Sequence, residues 1–329
     1  MSKDQLIYGS IEEKEAEELW EIIYQSLHRH AQSGWNEHVG YERFRAVKKK
    51  EKILGGMGII DMGQWFGGKI VRIGAVTSVG VAPEGRGLGV ASVLVKKSLS
   101  EMYESEIPIS TLLPSSTRVY RSFGYERAGV KITYETKIQD MKVEKNIVGY
   151  VNFQQARSAN HIRVRDMVAL NAEAAKKLLN FFYDHRTVID TISWNGPVSD
   201  PIQLLMEEQK VEIADTRDWM LRIVDIKKAL ESRGYIKDIN LSLTLNYEDP
   251  ILPQNSGTWD INIFDGKCEV SKSNLNGIQL GPRGLAPLYT SYLNAYDIKN
   301  MGLLEGTDKD LSKASIIFSG PKPWFGDQF

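Results

Sequence analysis

A single cysteine, Cys268, stands among 329 residues, so no internal disulfide can staple the fold. Histidines are scarce too: His28, His30, His38, His161 and His185. His28 and His30 are two apart and would point to different faces of a helix. No H-E-x-x-H or paired-cysteine spacing occurs, so no metal site is expected. No G-x-S-x-G elbow is present. Excess charge of either sign is missing, since 41 basic and 42 acidic residues leave a net charge of −1. That removes the electrostatic case for a nucleic-acid partner. No apolar run approaches the ~18 residues needed to span a bilayer. The first twenty residues, MSKDQLIYGSIEEKEAEELW, are acidic throughout and hold no apolar stretch of the signal-peptide kind. A cytoplasmic protein with no membrane partner is expected.

What is present is ordinary globular composition, 42% hydrophobic and 25% charged. At roughly 150 residues per domain, two or three domains fit the length. Residues 5–10 read as a strand, and 12–30 carry Ala16, Leu19, Trp20, Ile23 and Leu27 at helical spacing. Strands are expected at 43–48 and 53–61, around a solvated lysine turn at 48–52. A long strand at 69–82, a helix at 87–103, a strand at 109–113, a turn or short helix at 115–122 and a strand at 125–134 follow. Strands interleaved with helices indicate an α/β sheet with mixed strand directions.

Chemistry concentrates where the long strand meets its helix. The sequence there is Val79-Gly80-Val81-Ala82-Pro83-Glu84-Gly85-Arg86-Gly87-Leu88-Gly89-Val90-Ala91. Glycines let backbone amides approach a ligand closely, and a helix N-terminus favours negative charge. A pyrophosphate can be cradled this way without a lysine. The bland alternative is a tight, capped loop. Neither the P-loop nor the dinucleotide fingerprint fits.

The run Val81-x-Pro83-Glu84-x-Arg86-x-x-Gly89-x-Ala91 resembles the acetyl-CoA motif of the GNAT N-acetyltransferases. Downstream, Tyr120-Arg121-Ser122-Phe123-Gly124-Tyr125 resembles the Y-x-x-F-G-Y element of the same superfamily. Residues 219–235, WMLRIVDIKKALESRGY, resemble the segment that opens the C-terminal domain of the Eis (enhanced intracellular survival) acetyltransferases, a domain similar to sterol carrier proteins. The aromatic tail Pro323-Trp324-Phe325-Gly326-Asp327-Gln328-Phe329 resembles that family's ending. The resemblance implies a mixed α/β (α+β) chain of three parts. Residues 1–138 would be a GNAT catalytic domain and 217–329 a sterol carrier-like domain. Residues 139–216 would be a shortened, degenerate GNAT-like domain. There, strands at 147–153, 161–170, 188–194 and 210–214 and helices at 171–186 and 200–209 repeat the order of 53–134. Its junction, Ala169-Leu170-Asn171-Ala172-Glu173-Ala174, lacks glycine and reads as scaffold. In the C-terminal part, strands are expected at 238–247 and across a hairpin at 258–271 turning at Asp265-Gly266, with a helix near 285–296.

The same resemblance implies the site. Tyr120 would protonate the departing thiolate, and the C-terminal carboxylate of Phe329 would accept the amine proton. A tyrosine stays protonated at pH 7 and so suits the acid role; the bland alternative is an aromatic packed beside Phe123 and Tyr125. Acetyl-CoA would lie along Val79, Gly80 and Val81 and on the amides of Gly87, Leu88, Gly89, Val90, Ala91 and Ser92, with Arg86 in the motif. Ser115 and Ser116 would touch the cofactor or cap the next helix. The substrate would be a small-molecule or peptide amine, of lysine side-chain, polyamine or aminoglycoside type, and a homo-oligomer is implied. The alternative from another class is a non-catalytic CoA- or lipid-binding protein acting in an assembly.

Overall fold

The computed structural model describes residues 6–27, 35–137, 149–156 and 160–326. The chain forms two compact units. One comprises residues 1–128 and 219–321, the other 129–218 and 322–328.

In the first unit, β1 (Leu6–Ser10), α1 (Ala16–Leu27), α2 (Trp35–Val39), β2 (Phe44–Lys49), β3 (Lys52–Phe66) and β4 (Lys69–Val81) open the chain. α3 (Val90–Glu104), β5 (Ile109–Leu112) and α4 (Thr117–Arg121) follow. The first four strands pair antiparallel in chain order, and β5 joins β4 in parallel. The lysine run is the expected hairpin turn, with Lys50 at positive φ. α3 buries Val90, Leu94, Val95, Leu99 and Met102, a stripe at helical spacing that covers one face of the sheet. α1 presses on β4 so closely that a Cβ on Gly80 would sit 2.8 Å from the Ile23 Cα.

β6 (Glu126–Lys137) leads into the second unit, with β7 (Gly149–Ala156), β8 (His161–Ala169), α5 (Ala172–Tyr183) and β9 (Thr191–Gly196). β7 pairs antiparallel with β8, β8 parallel with β9, and β9 antiparallel with β6. The helix expected at 200–209 shrinks to a 3₁₀ turn, Pro201–Leu205, capped by Asp200. The apolar spacing fails after Met206, where Glu207, Glu208 and Lys210 are solvated.

β10 (Glu212–Ile223) runs through the boundary expected at 216. It is one strand through that position, and Met220–Ile223 pair with β5. Its run Trp219 to Val224 is wholly buried, the pattern of a strand covered on both faces. The start of the expected C-terminal domain is therefore a strand of the N-terminal sheet.

α6 (Ile226–Ser232) begins the C-terminal part, followed by β11 (Asn240–Tyr247), β12 (Gly257–Phe264), β13 (Lys267–Lys272), β14 (Ile278–Leu280), α7 (Pro282–Tyr289), α8 (Ala295–Asn300), β15 (Leu304–Glu305) and α9 (Asp308–Ile317). The strands make a second sheet in the order β13-β12-β11-β14-β15. Asp265 and Gly266 both take positive φ, the primed turn that joins β12 to β13. The fold is the mixed α/β class expected. Among the described residues, no helix is long and apolar enough to cross a membrane.

Two contacts bind the C-terminal part to the N-terminal sheet. The β3–β4 hairpin lies backbone to backbone on Gly234, which donates to the Phe66 carbonyl at 3.0 Å. A Cβ on Gly67 would stand 1.9 Å from the Gly234 oxygen. Arg222 of β10 and Asp249, both 0% exposed, form a two-pronged ion pair at 2.6 and 2.7 Å. Removing one partner of such a pair strands a buried charge, at a cost of about 3–5 kcal/mol. Asp249→Ala is therefore expected to lower unfolding free energy by about that amount in urea titration. A loss under about 1 kcal/mol would show that the pair is dispensable.

Candidate active site

β4 and β5 pair only over Ile73–Val76 and Ile109–Leu112. β4 continues five residues beyond its last partner, so the two strands part and leave a cleft. The parting coincides with a bulge. Pairing with β3 steps from Gly58–Thr77 to Gly56–Gly80, placing Ser78 and Val79 opposite Met57 alone, with Ser78 at φ 51°. A bulge of this kind bends its strand and raises its twist.

At the far end of the cleft, Pro83–Gly85 form a 3₁₀ turn before α3. Gly87 and Gly89 have φ of 79° and 80°, and a Cβ on either would meet nothing within 4 Å. These glycines are required by backbone conformation, and the space above them is open. No side chain caps α3. The first-turn amides of Val90, Ala91 and Ser92 thus combine with the helix dipole into an anion-binding end. Arg86 and Leu88 are exposed beside them. Gly85, in contrast, is buried against the Leu54 carbonyl.

The strand edge is partly taken. Val81 N–H donates to Ser26 Oγ at 3.1 Å, and that hydroxyl lies 3.0 Å from the Val81 carbonyl. Val79, at the bulge, has no such side chain on it among the described contacts.

Tyr120, in the last turn of α4, belongs to a buried apolar cluster with Leu112, Phe123, Tyr125, Met220 and Leu252. It is 6% exposed and meets Tyr125 edge to face at 6.0 Å. Burial pushes its phenol up to about 12, and a hydrogen bond with Ser115 pulls the other way. Ser115 is exposed, and Ser116 occupies the N-cap of α4 without capping it. The bland capping role is therefore not used.

The turn after Tyr120 is clamped. Gly124 has φ 81°, and a Cβ there would stand 2.8 Å from Arg222 Nε. Arg222 Nε donates to the Phe123 carbonyl at 2.9 Å. Buried Glu126 accepts from Arg121 of α4 and from Arg283 Nε of α7 at 2.8 Å. Ser26, Arg222 and Glu126 escaped the sequence reading. A lone arginine inside WMLRIV was the available signal for one of them.

Phe329 lies outside the described residues. The tail before it is docked within the second unit. Trp324 bridges to Val130, and the Gly326 carbonyl accepts from Lys131 Nζ at 3.2 Å and Asn195 Nδ2 at 3.1 Å.

A GCN5-related N-acetyltransferase from Anabaena variabilis is 31% identical, with 99% of this chain and 100% of that chain covered at a TM-score of 0.93. The chain belongs to the GCN5-related N-acetyltransferase family. The acetyltransferase (GNAT) domain matches twice, over residues 8–128 and 135–223, and the sterol carrier protein domain over 226–326. The second GNAT match ends on the last residue of β10. Eis1 from Mycobacterium abscessus shares the fold at 20% identity, covering 99% of this chain and 100% of that one with a TM-score of 0.84. An uncharacterized N-acetyltransferase of Streptomyces griseus is 27% identical over 174 residues. That match takes in 52% of this chain and 41% of the relative, so less than half of the curated relative's length is represented.

Tyr120 makes a pH prediction for this chain. Its folded pKa, near 12, exceeds the unfolded value near 10. The stabilisation is complete below pH 10 and is lost as pH rises through 12, because the unfolded chain releases the proton first. Tyr120→Phe should remove roughly 2 kcal/mol of the wild type's alkaline loss between pH 10 and 12. Identical stability profiles for the two proteins would show that the phenol is not held neutral by the fold.

Proposed function

We propose that this chain is an Eis-type N-acetyltransferase that moves the acetyl group of acetyl-CoA directly onto a primary amine of lysine side-chain, polyamine or aminoglycoside type. The observation that carries the reading is the uncapped, glycine-lined start of α3 at one end of the β4–β5 cleft. Acetyl-CoA supplies the acetyl thioester, and its thiolate is the leaving group. The amides from Gly87 to Ser92 hold the pyrophosphate, with Arg86 beside them. The Val79–Val81 edge orients the pantetheine amides. Val79 is the readier partner, since Ser26 already engages Val81. Ser116, which does not cap α4, lines the same cleft, with Ser115 beside it on Tyr120.

Tyr120 acts as general acid. As the amine nitrogen forms its bond to the carbonyl carbon and the C–S bond breaks, the phenolic proton goes to the departing thiolate. The ammonium proton goes to a terminal carboxylate at Phe329. The Gly326 carbonyl, three residues before Phe329, accepts from Lys131 and Asn195. A homo-oligomer completes the reading. Trp65 and Ile70 face each other across the β3–β4 hairpin, both largely exposed, and offer apolar surface for self-association.

Release of free thiol from acetyl-CoA, measured against polyamines, aminoglycosides and lysine peptides, tests the activity. Gly89→Glu should abolish acetyl-CoA binding in calorimetry, because it puts an anion in open space reserved for another anion. Retained affinity with an intact fold would remove the basis of the assignment. Tyr120→Phe should lower kcat by ~10²–10⁴-fold with CoA affinity nearly unchanged. One glycine added after Phe329 should cause a similar loss, and full turnover by the extended protein would eliminate the carboxylate as base.

A further inference from the structure

The second unit holds a cleft of its own. β8 and β9 pair in parallel only over His161–Arg163 and Thr191–Ser193, and then part. A cavity of about 450 Å³ opens at the parting, a size common among sites for small organic ligands. Its walls belong wholly to this unit. Met167 of β8, Trp194 of β9, Ile202 of the 3₁₀ turn and Trp324 of the tail supply apolar surface, and Asp166 and Asp200 supply carboxylates.

The charge in this cavity is one-sided. Asp200 is half-buried, and it accepts from Trp194 Nε1 at 2.8 Å and from the Ile202 amide at 3.1 Å. Asp166 accepts from the Tyr150 hydroxyl. These donors are all neutral, and among the described residues no cation pairs with either carboxylate. Arg165 also lines the wall, but it is exposed and its Nη2 donates to Gln154 Oε1 at 2.6 Å. The two asparagines in the wall are engaged. Asn171 caps α5, and Asn195 joins Thr133 to the Gly326 carbonyl. The helix start that could have met an anion is thus closed, and Glu173 stands in its first turn.

A cation would be met twice. Indole rings attract ammonium groups through their π faces, and a carboxylate attracts the same charge directly. The Trp194–Asp200 hydrogen bond brings both features to one spot. It uses the in-plane N–H of the indole and leaves the ring itself for packing, with Tyr134 at 5.6 Å and with the cavity. Trp324 is 40% exposed and has apolar surface still to bury.

We propose that this cavity is a binding site for an organic cation with an apolar body, an alkyl- or arylammonium. Asp200 and Asp166 meet its charge, while Trp194, Trp324, Met167 and Ile202 cover its body. The site is separate from the α3 cleft and does not depend on the function proposed above. Trp324 and Gly326 are part of the wall, so binding is linked to docking of the tail, and each strengthens the other.

The probe is benzyltrimethylammonium chloride, titrated into the full chain by calorimetry. Its charge is permanent and its nitrogen has no lone pair to acetylate, so the heat reports binding and not turnover. One-site binding with a Kd at or below about 1 mM is expected for a ligand of this size. Benzyl alcohol, the neutral comparison, should bind at least about tenfold more weakly. Asp200→Asn keeps the shape and an acceptor for Trp194 but removes the charge, and should weaken the ion about tenfold. Ala172→Trp, at an exposed position of the wall, fills the space and should abolish binding. Trp324→Ala should weaken it by about threefold to tenfold. If Asp200→Asn does not fold, Ala172→Trp and Trp324→Ala decide. A Kd above about 1 mM for the wild type, equal affinity for benzyl alcohol, or wild-type affinity in any of these variants overturns the proposal. The acetyltransferase reading stands or falls on thiol release and CoA binding, which none of these titrations measures.

Discussion

The geometry around Tyr120 depends on one buried cation. Arg222 comes from an otherwise apolar strand and has no access to water. A guanidinium in that position is tolerable only if its charge and donors are met. Asp249 meets the charge and is itself fixed by the amides of Ile251 and Leu252. The remaining donors turn to the Tyr247 hydroxyl and to main-chain oxygens, the Phe123 carbonyl among them. The turn that follows Tyr120 is therefore held by a residue a hundred positions later, which is held in turn by the C-terminal part. Gly124 belongs to the same device, because a side chain there would push the guanidinium off Phe123. The sterol carrier-like segment thus does more than follow the N-terminal GNAT segment. It supplies the counter-charge that lets the Tyr120 turn keep its shape.

The two GNAT segments show what turns a shared topology into a binding site. In the second unit, β8 and β9 also pair in parallel for a few residues and then part. β8 carries its own register shift beside Phe153, as β4 does beside Gly58. A cavity of about 450 Å³ opens there, lined by Met167, Asn171, Ala172, Trp194, Ile202 and Trp324 among others. Yet Asn171 caps α5, accepting from the Ala174 amide at 2.8 Å. The helix end that would attract an anion satisfies itself. Glu173 in the first turn adds negative charge to it. The difference between the clefts lies in the residues at one helix start, glycines in the first and a capping asparagine in the second.

That difference was legible in the sequence, because glycine content and cap residues are local. So were most strands and helices of both units, the lysine hairpin and the Asp265-Gly266 turn, each set by period and turn chemistry. What stayed hidden was non-local. The bulge at Ser78 has no composition signal. The pairing of Met220–Ile223 with β5 placed a strand across a boundary that the run's resemblance put elsewhere. Ser26 on the Val81 edge and Asn36 on Ser78 are contacts across 55 and 42 residues of chain. Their residue types say nothing until the fold brings them to the cleft.

Burial sets a chemical problem for Tyr120 that burial also resolves. Held near pKa 12, the phenol is a poor acid toward an ordinary thiolate, whose conjugate acid has a pKa near 8.5. Proton transfer across that gap of about 3.5 units would be uphill by roughly 5 kcal/mol. The comparison with water is the wrong one, however, if the thiolate forms in the same apolar surroundings. Desolvation raises every acid that ionises to an anion. Burial, with Glu231 adding to it, pushes the thiol of Cys268 up to about 12 against the hydrogen bond from Tyr235 and the charges of Arg233 and Lys69. A thiolate leaving into a dry cleft would be raised in the same direction, and the two groups would come back toward a match. On the function proposed above, the apolar packing around Tyr120 would serve the transfer twice, keeping the phenol protonated at physiological pH and raising the basicity of the leaving sulfur.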